Sequence, residues 1–196
     1  MHDLAAGVAQ FQRTVFPAKT PLFTRLAGTH QPTALFIGCS DARVVPELIT
    51  QSEPGDLFVI RTAGNIVPAY SPGSDGVAAS IEYAVAALRV TDIVVCGHSA
   101  CGAMTALAEH HDLTTAPAVA GWLRHADAAR ARAAMSGGPA SVDALVRANV
   151  HAQLANLATH PAVAAALADH ALTLHGWIYD IGSGAVDEVA PAALPA

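Results

Sequence analysis

Three short apolar runs separated by helix-like segments constrain the fold of this chain more than any other feature. The runs cover residues 33–38 (TALFIG), 56–61 (DLFVIR) and 92–97 (DIVVCG). They are nearly continuous and rich in Val, Ile and Phe, which is typical of parallel strands covered on both faces. The helix-like segments between them indicate β-α-β units with right-handed crossovers.

The C-terminal part of the chain extends this core. Residues 105–169 have a mostly helical pattern, and residues 171–189 form two strand-like runs around the turn GSG, which predicts a hairpin. We therefore expect an α/β fold. Its central sheet is mostly parallel, with about four parallel strands and a C-terminal antiparallel addition, and is flanked by helices.

Composition favours one compact domain spanning residues 1–196. The chain is 53% hydrophobic and 13% charged, enough apolar material for a core. Within it we expect an N-terminal helical arm over residues 1–30, with helices near 3–16 and 21–27 broken by Pro17 and Pro21, and a loose tail over residues 190–196.

Charge and hydropathy limit the partners that we expect. The formal net charge is −6 without a strong basic cluster, which argues against nucleic acid. Long apolar runs are interrupted by charge, as at Glu82 and Arg89, so no membrane span is expected. The N-terminus has Asp3 early and no basic leader, which makes the cytoplasm the expected location.

Candidate metal ligands follow two of the predicted strands. Cys39 comes after the first run, His98 after the third, and Cys101 three residues later. Reactive groups gather at the carboxyl ends of strands in open α/β sheets. Two thiolates and one imidazole suit Zn²⁺, and three protein ligands leave the open fourth position of a catalytic site.

Asp41 and Arg43 lie directly beyond Cys39 in the stretch CSDAR. A guanidinium can hold a carboxylate in a bidentate pair and keep it ionised. Asp41 could then accept a hydrogen bond from a metal-bound water, or could itself be the fourth ligand in a closed state. Both alternatives stay open at this point.

Other interpretations of these residues compete with the metal site. Each residue taken alone could be structural: a buried thiol, an ion pair, a loop histidine. The stretch VVCGHSACG also suggests a serine hydrolase, in which Ser99 would act with a late histidine such as His175. Such a hydrolase, however, needs Gly where Cys101 stands. A non-catalytic zinc-binding module is a third possibility.

The motifs CSDAR and GHSAC, with EPGDLFVIRTAGN and SIEYAV between them, resemble those of the β-class carbonic anhydrases. The resemblance covers most of the chain. It implies a zinc lyase that converts carbon dioxide reversibly into bicarbonate and a proton, by attack of zinc-bound hydroxide. It also implies a homodimer or a dimer of dimers, with the N-terminal helices packed on the partner.

Roles for individual residues follow from the same resemblance. Cys39, His98 and Cys101 match the ligands of one Zn²⁺ per subunit, and Asp41 and Arg43 match the catalytic dyad. Five further positions match substrate-binding residues of the family: Gln31, Phe58, Ala63, Tyr83 and Gly102. Carbonyl sulfide or carbon disulfide are alternative substrates that no residue excludes.

One position departs from relatives that bicarbonate inhibits at a second site. Those relatives carry tryptophan in the strand before the cysteine, where this chain has Phe36. Phenylalanine lacks the indole N–H donor, so the resemblance implies no such inhibition here and an open resting state. Because two thiolates cancel the charge of Zn²⁺, we also expect activity that rises toward alkaline pH.

Overall fold

The computed structural model describes residues 3–73, 75–135 and 141–189. By internal contacts the chain divides into two compact units, Met1–Gln31 and Pro32–Ala196. The predicted loose tail, residues 190–196, lies outside the described residues. That the whole chain acts as one domain stays a prediction.

The first unit consists of short consecutive helices. Helix α1 (Leu4–Gln10) begins at Asp3, whose carboxylate accepts hydrogen bonds from two backbone N–H groups of the first turn. It continues through a π-helical segment, Phe11–Val15, into α2 (Phe16–Ala18), and α3 (Thr20–Leu26) follows. The predicted break at Pro17 was wrong: the wider π turn before it accommodates a residue without an N–H, and the break falls after α2.

Aromatic side chains hold this first unit together. The rings of Phe16 and Phe23 stack at 5.3 Å between centroids, and Phe11 meets each of them edge-on at 6.1 Å. Several apolar side chains of the unit nevertheless remain exposed: Leu4, Val8, Phe11, Val15 and Phe16.

The second unit is built on a five-stranded sheet. Its strands are β1 (Ala34–Cys39), β2 (Leu57–Thr62), β3 (Asp92–His98), β4 (Thr173–Tyr179) and β5 (Val186–Val189). The order across the sheet is β2-β1-β3-β4-β5. The first four strands are parallel and β5 is antiparallel to β4, which confirms the predicted fold class.

Helices flank this sheet within the described residues of the second unit. They are α4 (Pro46–Thr50), α5 (Gly76–Glu82), α6 (Gly102–Ala108), α7 (Pro117–Leu123), α8 (Asp127–Ala134), α9 (Val142–Leu157) and α10 (Pro161–Ala168). A π-helical segment, Tyr83–Ala87, continues α5, and single 3-10 turns occur at Ala63–Asn65 and Arg124–Ala126. In the part of the chain that the structure describes, no helix is both long and apolar enough to cross a bilayer.

Alternate residues of the strands enter different parts of the core. Leu35 and Ile37 of β1 pack with side chains of α5, α9 and α10, whereas Phe36 packs with Val94 and Cys96 on the other face. Cys96 is fully buried, and burial raises the pKa of its thiol to about 12. A third cluster, built mainly from α6, α8 and α9, encloses Cys39 and Cys101.

Candidate metal centre

The sheet topology brings the candidate ligands together. β1 and β3 are parallel neighbours, so Cys39 and His98 lie at the same edge of the sheet. A short turn after His98, in which Ala100 has a φ of 51°, places Cys101 at the N-terminal end of α6. The ligand atoms of Cys39, His98 and Cys101 all lie within 4.8 Å of one another, and all three residues are buried.

The hydrogen bonds of His98 leave one ring nitrogen available. Its Nδ1 lies 2.9 Å from the carbonyl oxygen of Ser99, which can only accept, so Nδ1 carries the proton. Nε2 then keeps its lone pair, and it is buried with no hydrogen-bond partner among the residues that the structure describes. An orphaned acceptor beside two sulfur atoms is unusual in a core, and a metal ion would satisfy it.

The pKa values of the two thiols in this centre are shifted in opposite directions. Hydrogen bonding from the Cys101 thiol lowers the pKa of Cys39 to about 4, against the effect of burial. The same interaction, together with burial, raises the pKa of Cys101 above its ordinary value. Two sulfur atoms and one imidazole nitrogen that lie within 4.8 Å of one another fit Zn²⁺, which favours sulfur and nitrogen donors.

Asp41 and Arg43 form the predicted ion pair next to the candidate ligands. Arg43 donates from Nε to Oδ1 at 2.9 Å and from Nη2 to Oδ2 at 2.7 Å, and its backbone N–H also donates to Oδ1. These bonds hold the pKa of Asp41 well below its usual range. Oδ2 lies 3.9 Å from Nε2 of His98, so the carboxylate borders the ligand group.

Arg61, on the neighbouring strand β2, hydrogen-bonds to the backbone that carries Cys39 and Asp41. Its Nε donates to the carbonyl oxygen of Cys39 at 3.0 Å, and its Nη2 donates to the carbonyl oxygen of Asp41. The main chain is therefore fixed on both sides of Ser40. Sequence reasoning missed this residue, although its place at the end of a predicted strand beside CSDAR was a usable signal.

The structure also brings a backbone donor to Cys39. The N–H of Gly64, in the turn after β2, donates to Sγ of Cys39 at 3.4 Å. A glycine is required here because its φ is +73°, and a Cβ would lie 2.9 Å from Cβ of Ala103. No pattern in the sequence pointed to this contact.

Two of the five predicted substrate residues are in contact with each other. The rings of Phe58 and Tyr83 lie 6.0 Å apart and form an aromatic pair. Ala63 follows β2 directly, and Gly102 is the first residue of α6, next to Cys101. Gln31 is exposed at the end of the first unit. The substrate-binding roles of all five residues stay predictions.

The geometry gives the serine hydrolase alternative no support. Ser99 Oγ accepts a hydrogen bond from the backbone of Ile181 at 2.9 Å. His175 pairs in register with Val94, and its Nε2 contacts Asp92 at the opposite edge of the sheet. Five residues of strand separate His175 from the level of Ser99, about 16 Å at about 3.3 Å per residue. His175 therefore cannot activate this serine.

Comparison with known proteins shows which family the chain resembles. The family model described as carbonic anhydrase matches residues 34–186. A carbonic anhydrase of Pseudomonas aeruginosa is 60% identical over 190 residues, which cover 95% of this chain and 86% of that protein. Carbonic anhydrase 1 of Escherichia coli O157:H7 is 57% identical with the same coverage.

Solved structures agree as well. The β-carbonic anhydrase CcaA superposes with a TM-score of 0.88 at 44% identity, covering 96% of this chain and 98% of that one. The Coccomyxa β-carbonic anhydrase, solved in complex with acetazolamide, gives 0.82 at 32% identity, covering 95% and 84%. The chain therefore belongs to the β-carbonic anhydrase family of enzymes.

Proposed function

We propose that this protein catalyses the reversible hydration of carbon dioxide to bicarbonate and a proton, using one Zn²⁺ per subunit held by Cys39, His98 and Cys101. The observation that carries the proposal is the convergence of these three ligand atoms within 4.8 Å, with an unpartnered nitrogen on His98. Family membership supports the reaction. The donor set supports the choice of metal.

Each ligand has a distinct task in this proposal. Cys39 and Cys101 contribute sulfur from a strand end and a helix start, and His98 contributes Nε2 while the Ser99 carbonyl fixes its tautomer. When bound, zinc supplies a Lewis acid that lowers the pKa of a coordinated water, the nucleophile that carbon dioxide hydration requires. Three protein ligands leave one position free for that water or for bicarbonate.

Asp41 orients the reacting oxygen as a hydrogen-bond acceptor. Arg43 occupies two acceptor positions on Oδ1 and one on Oδ2, so Oδ2 retains a free lone pair. That oxygen is the one nearest His98. Because its pKa is held well below the usual range, Asp41 stays ionised and cannot donate in place of accepting. Release by Arg43 would let Asp41 become a fourth ligand and close the site.

An apolar pocket would hold the substrate. Carbon dioxide is uncharged and needs no cationic clamp, and the aromatic pair of Phe58 and Tyr83 offers suitable surface. We assign Ala63 to the same pocket, Gln31 to a hydrogen bond with the substrate, and the N–H of Gly102 to the product side. These three assignments rest on the family resemblance.

The N-terminal arm is proposed to mediate a homodimer or a dimer of dimers. Its exposed Leu4, Val8 and Phe11 form an apolar surface that a partner subunit would cover. Two related enzymes from Sordaria macrospora are described as tetrameric. Sedimentation of a Leu4→Asp, Val8→Asp variant, which spares the aromatic contacts of Phe11, should show smaller assemblies than the wild type. The matched change Met135→Asp, at another exposed apolar residue, should leave the assembly unchanged.

Stopped-flow hydration of carbon dioxide, with measured zinc content, tests the activity. The zinc-replete wild type should be active, Cys39→Ser should lose both zinc and activity, and Cys96→Ser should keep both, because Cys96 lies outside the ligand group. An inactive wild type that carries zinc would contradict the proposal. Parallel assays with carbonyl sulfide and carbon disulfide test the alternative substrates, and cell fractionation tests the cytoplasmic location.

A further inference from the structure

Helix α9 carries amide side chains on a face that is buried rather than exposed. Asn149 and Gln153 have no solvent exposure, and Asn156 is half-buried. The three are bonded in series: Gln153 donates to Asn149 at 2.8 Å, and Asn156 donates to Gln153 at 3.2 Å. Burying amides is costly unless they are fully hydrogen-bonded, so their remaining bonds show what they hold.

Those remaining bonds all reach the loop that follows β2. Asn149 Nδ2 donates to the carbonyl oxygen of Gly64 at 2.9 Å. Farther along, the N–H of Val67 donates to Gln153 at 2.9 Å, and Asn156 donates to the Val67 carbonyl at 2.8 Å. Side chains of α9 thus take the place of a neighbouring strand for this segment of backbone.

A second helix holds the same loop from another direction. Trp122, in α7, donates from Nε1 to the carbonyl oxygen of Ala63 at 2.9 Å. This carbonyl belongs to the same peptide plane as the N–H of Gly64 and points the opposite way. The bond from Trp122 therefore fixes the direction of the N–H that donates to Cys39.

We infer that Trp122 and Asn149 are positioning residues for the metal centre. Together they fix the two peptide planes on either side of Gly64, and so hold its N–H on Sγ of Cys39. The inference rests on the proposed zinc site. A hydrogen bond to a coordinated thiolate withdraws charge from sulfur and orients the ligand, and such supporting contacts tune metal affinity and Lewis acidity.

The test compares Trp122→Phe and Asn149→Leu with the matched variant Asn156→Leu. Asn156→Leu makes the same exchange on the same helix face, but it removes the hydrogen bond to Val67 instead of the hydrogen bond to Gly64. Cobalt-substituted proteins report on the sulfur directly, since loss of the N–H donor moves the sulfur-to-cobalt charge-transfer band to lower energy. Chelator competition measures zinc affinity, which should fall at least about tenfold in the first two variants.

Thermal denaturation separates this effect from general destabilisation. Asn149→Leu and Asn156→Leu should both lower the melting temperature, but only Trp122→Phe and Asn149→Leu should shift the cobalt band and weaken zinc binding. Trp122→Phe changes a partly exposed side chain on a surface helix, so we expect this variant to fold. If Asn149→Leu does not fold, the cobalt band and the zinc affinity of Trp122→Phe test the inference.

Two results would overturn the inference. One is a folded Trp122→Phe protein with the cobalt band and zinc affinity of the wild type. The other is an equal shift in Asn156→Leu, which would show a general packing effect. Failure of the proposed metal site looks different, because the wild type itself would then bind neither cobalt nor zinc through sulfur. Failure of the proposed activity alone would leave a wild type that binds zinc but does not hydrate carbon dioxide.

Discussion

Arg43 holds Asp41 by both of its carboxylate oxygens, at 2.9 and 2.7 Å, and is itself anchored to the Ala100 carbonyl at 3.2 Å. Ala100 lies in the turn that joins His98 to Cys101. The ion pair therefore links the backbone segments that carry the proposed ligands. An isolated surface pair would contribute little, and the value of this one lies in fixing where the carboxylate points.

Removing the guanidinium should disable catalysis without removing the metal. In Arg43→Gln the carboxylate of Asp41 loses its clamp and can turn toward His98, 3.9 Å away. We expect activity to fall about 100-fold, the scale of a small misplacement of a reacting group, with full zinc content. Added guanidinium ion should restore part of the rate. Arg130→Gln, which breaks an exposed pair with Asp127, should keep wild-type activity; similar losses in both variants would contradict the assignment.

Activity should rise as the pH increases from about 7 to about 9. Two thiolate ligands neutralise the charge of Zn²⁺, so the bound water ionises less readily than at a trihistidine site. Asp41 adds no step in this range, because Arg43 holds its pKa well below the usual value and it stays ionised throughout. Stopped-flow rates in a buffer series measure the profile. A flat profile between mildly acidic and alkaline pH would show that metal-bound water does not limit the reaction.

His151 should make the fold less stable in acid. Burial, followed by the nearby charges of Arg132 and Arg147, lowers its pKa in the folded protein. The unfolded chain, with a pKa of about 6.5, then binds more protons, so stability is complete above that value and is lost as the pH falls toward the folded pKa. His151→Gln should therefore gain stability relative to the wild type on going from about pH 7.5 to about pH 5.

Urea unfolding at each pH measures this difference. His170→Gln, which removes an exposed histidine after α10, serves as the control and should follow the wild type. A stability difference between His151→Gln and the wild type that stays constant with pH would rule out His151 as the cause.

The convergence of the candidate ligands was predictable from sequence because its signals are local. Cys39 and His98 directly end apolar runs, and parallel strands bring their carboxyl ends to one edge of the sheet. Cys101 and Asp41 then follow at spacings that place them beside those ends. The β-α-β rhythm and the C-terminal hairpin predicted a mostly parallel sheet with an antiparallel addition, which the structure confirms. The order of the strands across the sheet was not predicted and comes from the structure.

The supporting network was not predictable by the same reasoning. Asn149, Gln153 and Asn156 recur at helical spacing, a pattern that indicates a solvent-facing side of a helix. They are instead turned inward, because their partners are backbone groups 85 to 89 residues away in sequence. Only the three-dimensional fold reveals such partners. Gly64 gave no signal of its own, since glycine is common after strands.

Gly64→Ala should damage both the fold and the metal site. The new Cβ would lie 2.9 Å from Cβ of Ala103 and 3.1 Å from Cε of Met104, at a φ of +73°. Left-handed strain and overpacking together should cost about 2 to 5 kcal/mol in free energy of unfolding. Gly121→Ala is the matched control. It lies in α7, and apart from its own helix backbone and chain neighbours no atom of the described residues lies within 4 Å of the new methyl group, so the change should be neutral or stabilising.

Relief of this clash must move the Gly64 backbone away from α6, and with it the N–H that donates to Cys39. Zinc affinity in Gly64→Ala should therefore fall about tenfold or more, as it does when groups supporting a metal ligand are lost. Chemical denaturation and chelator competition measure the two effects separately. A Gly64→Ala protein that is destabilised but binds zinc as tightly as Gly121→Ala would mean that the loop can yield without disturbing the thiolate, and that the Gly64 N–H has no part in holding the metal.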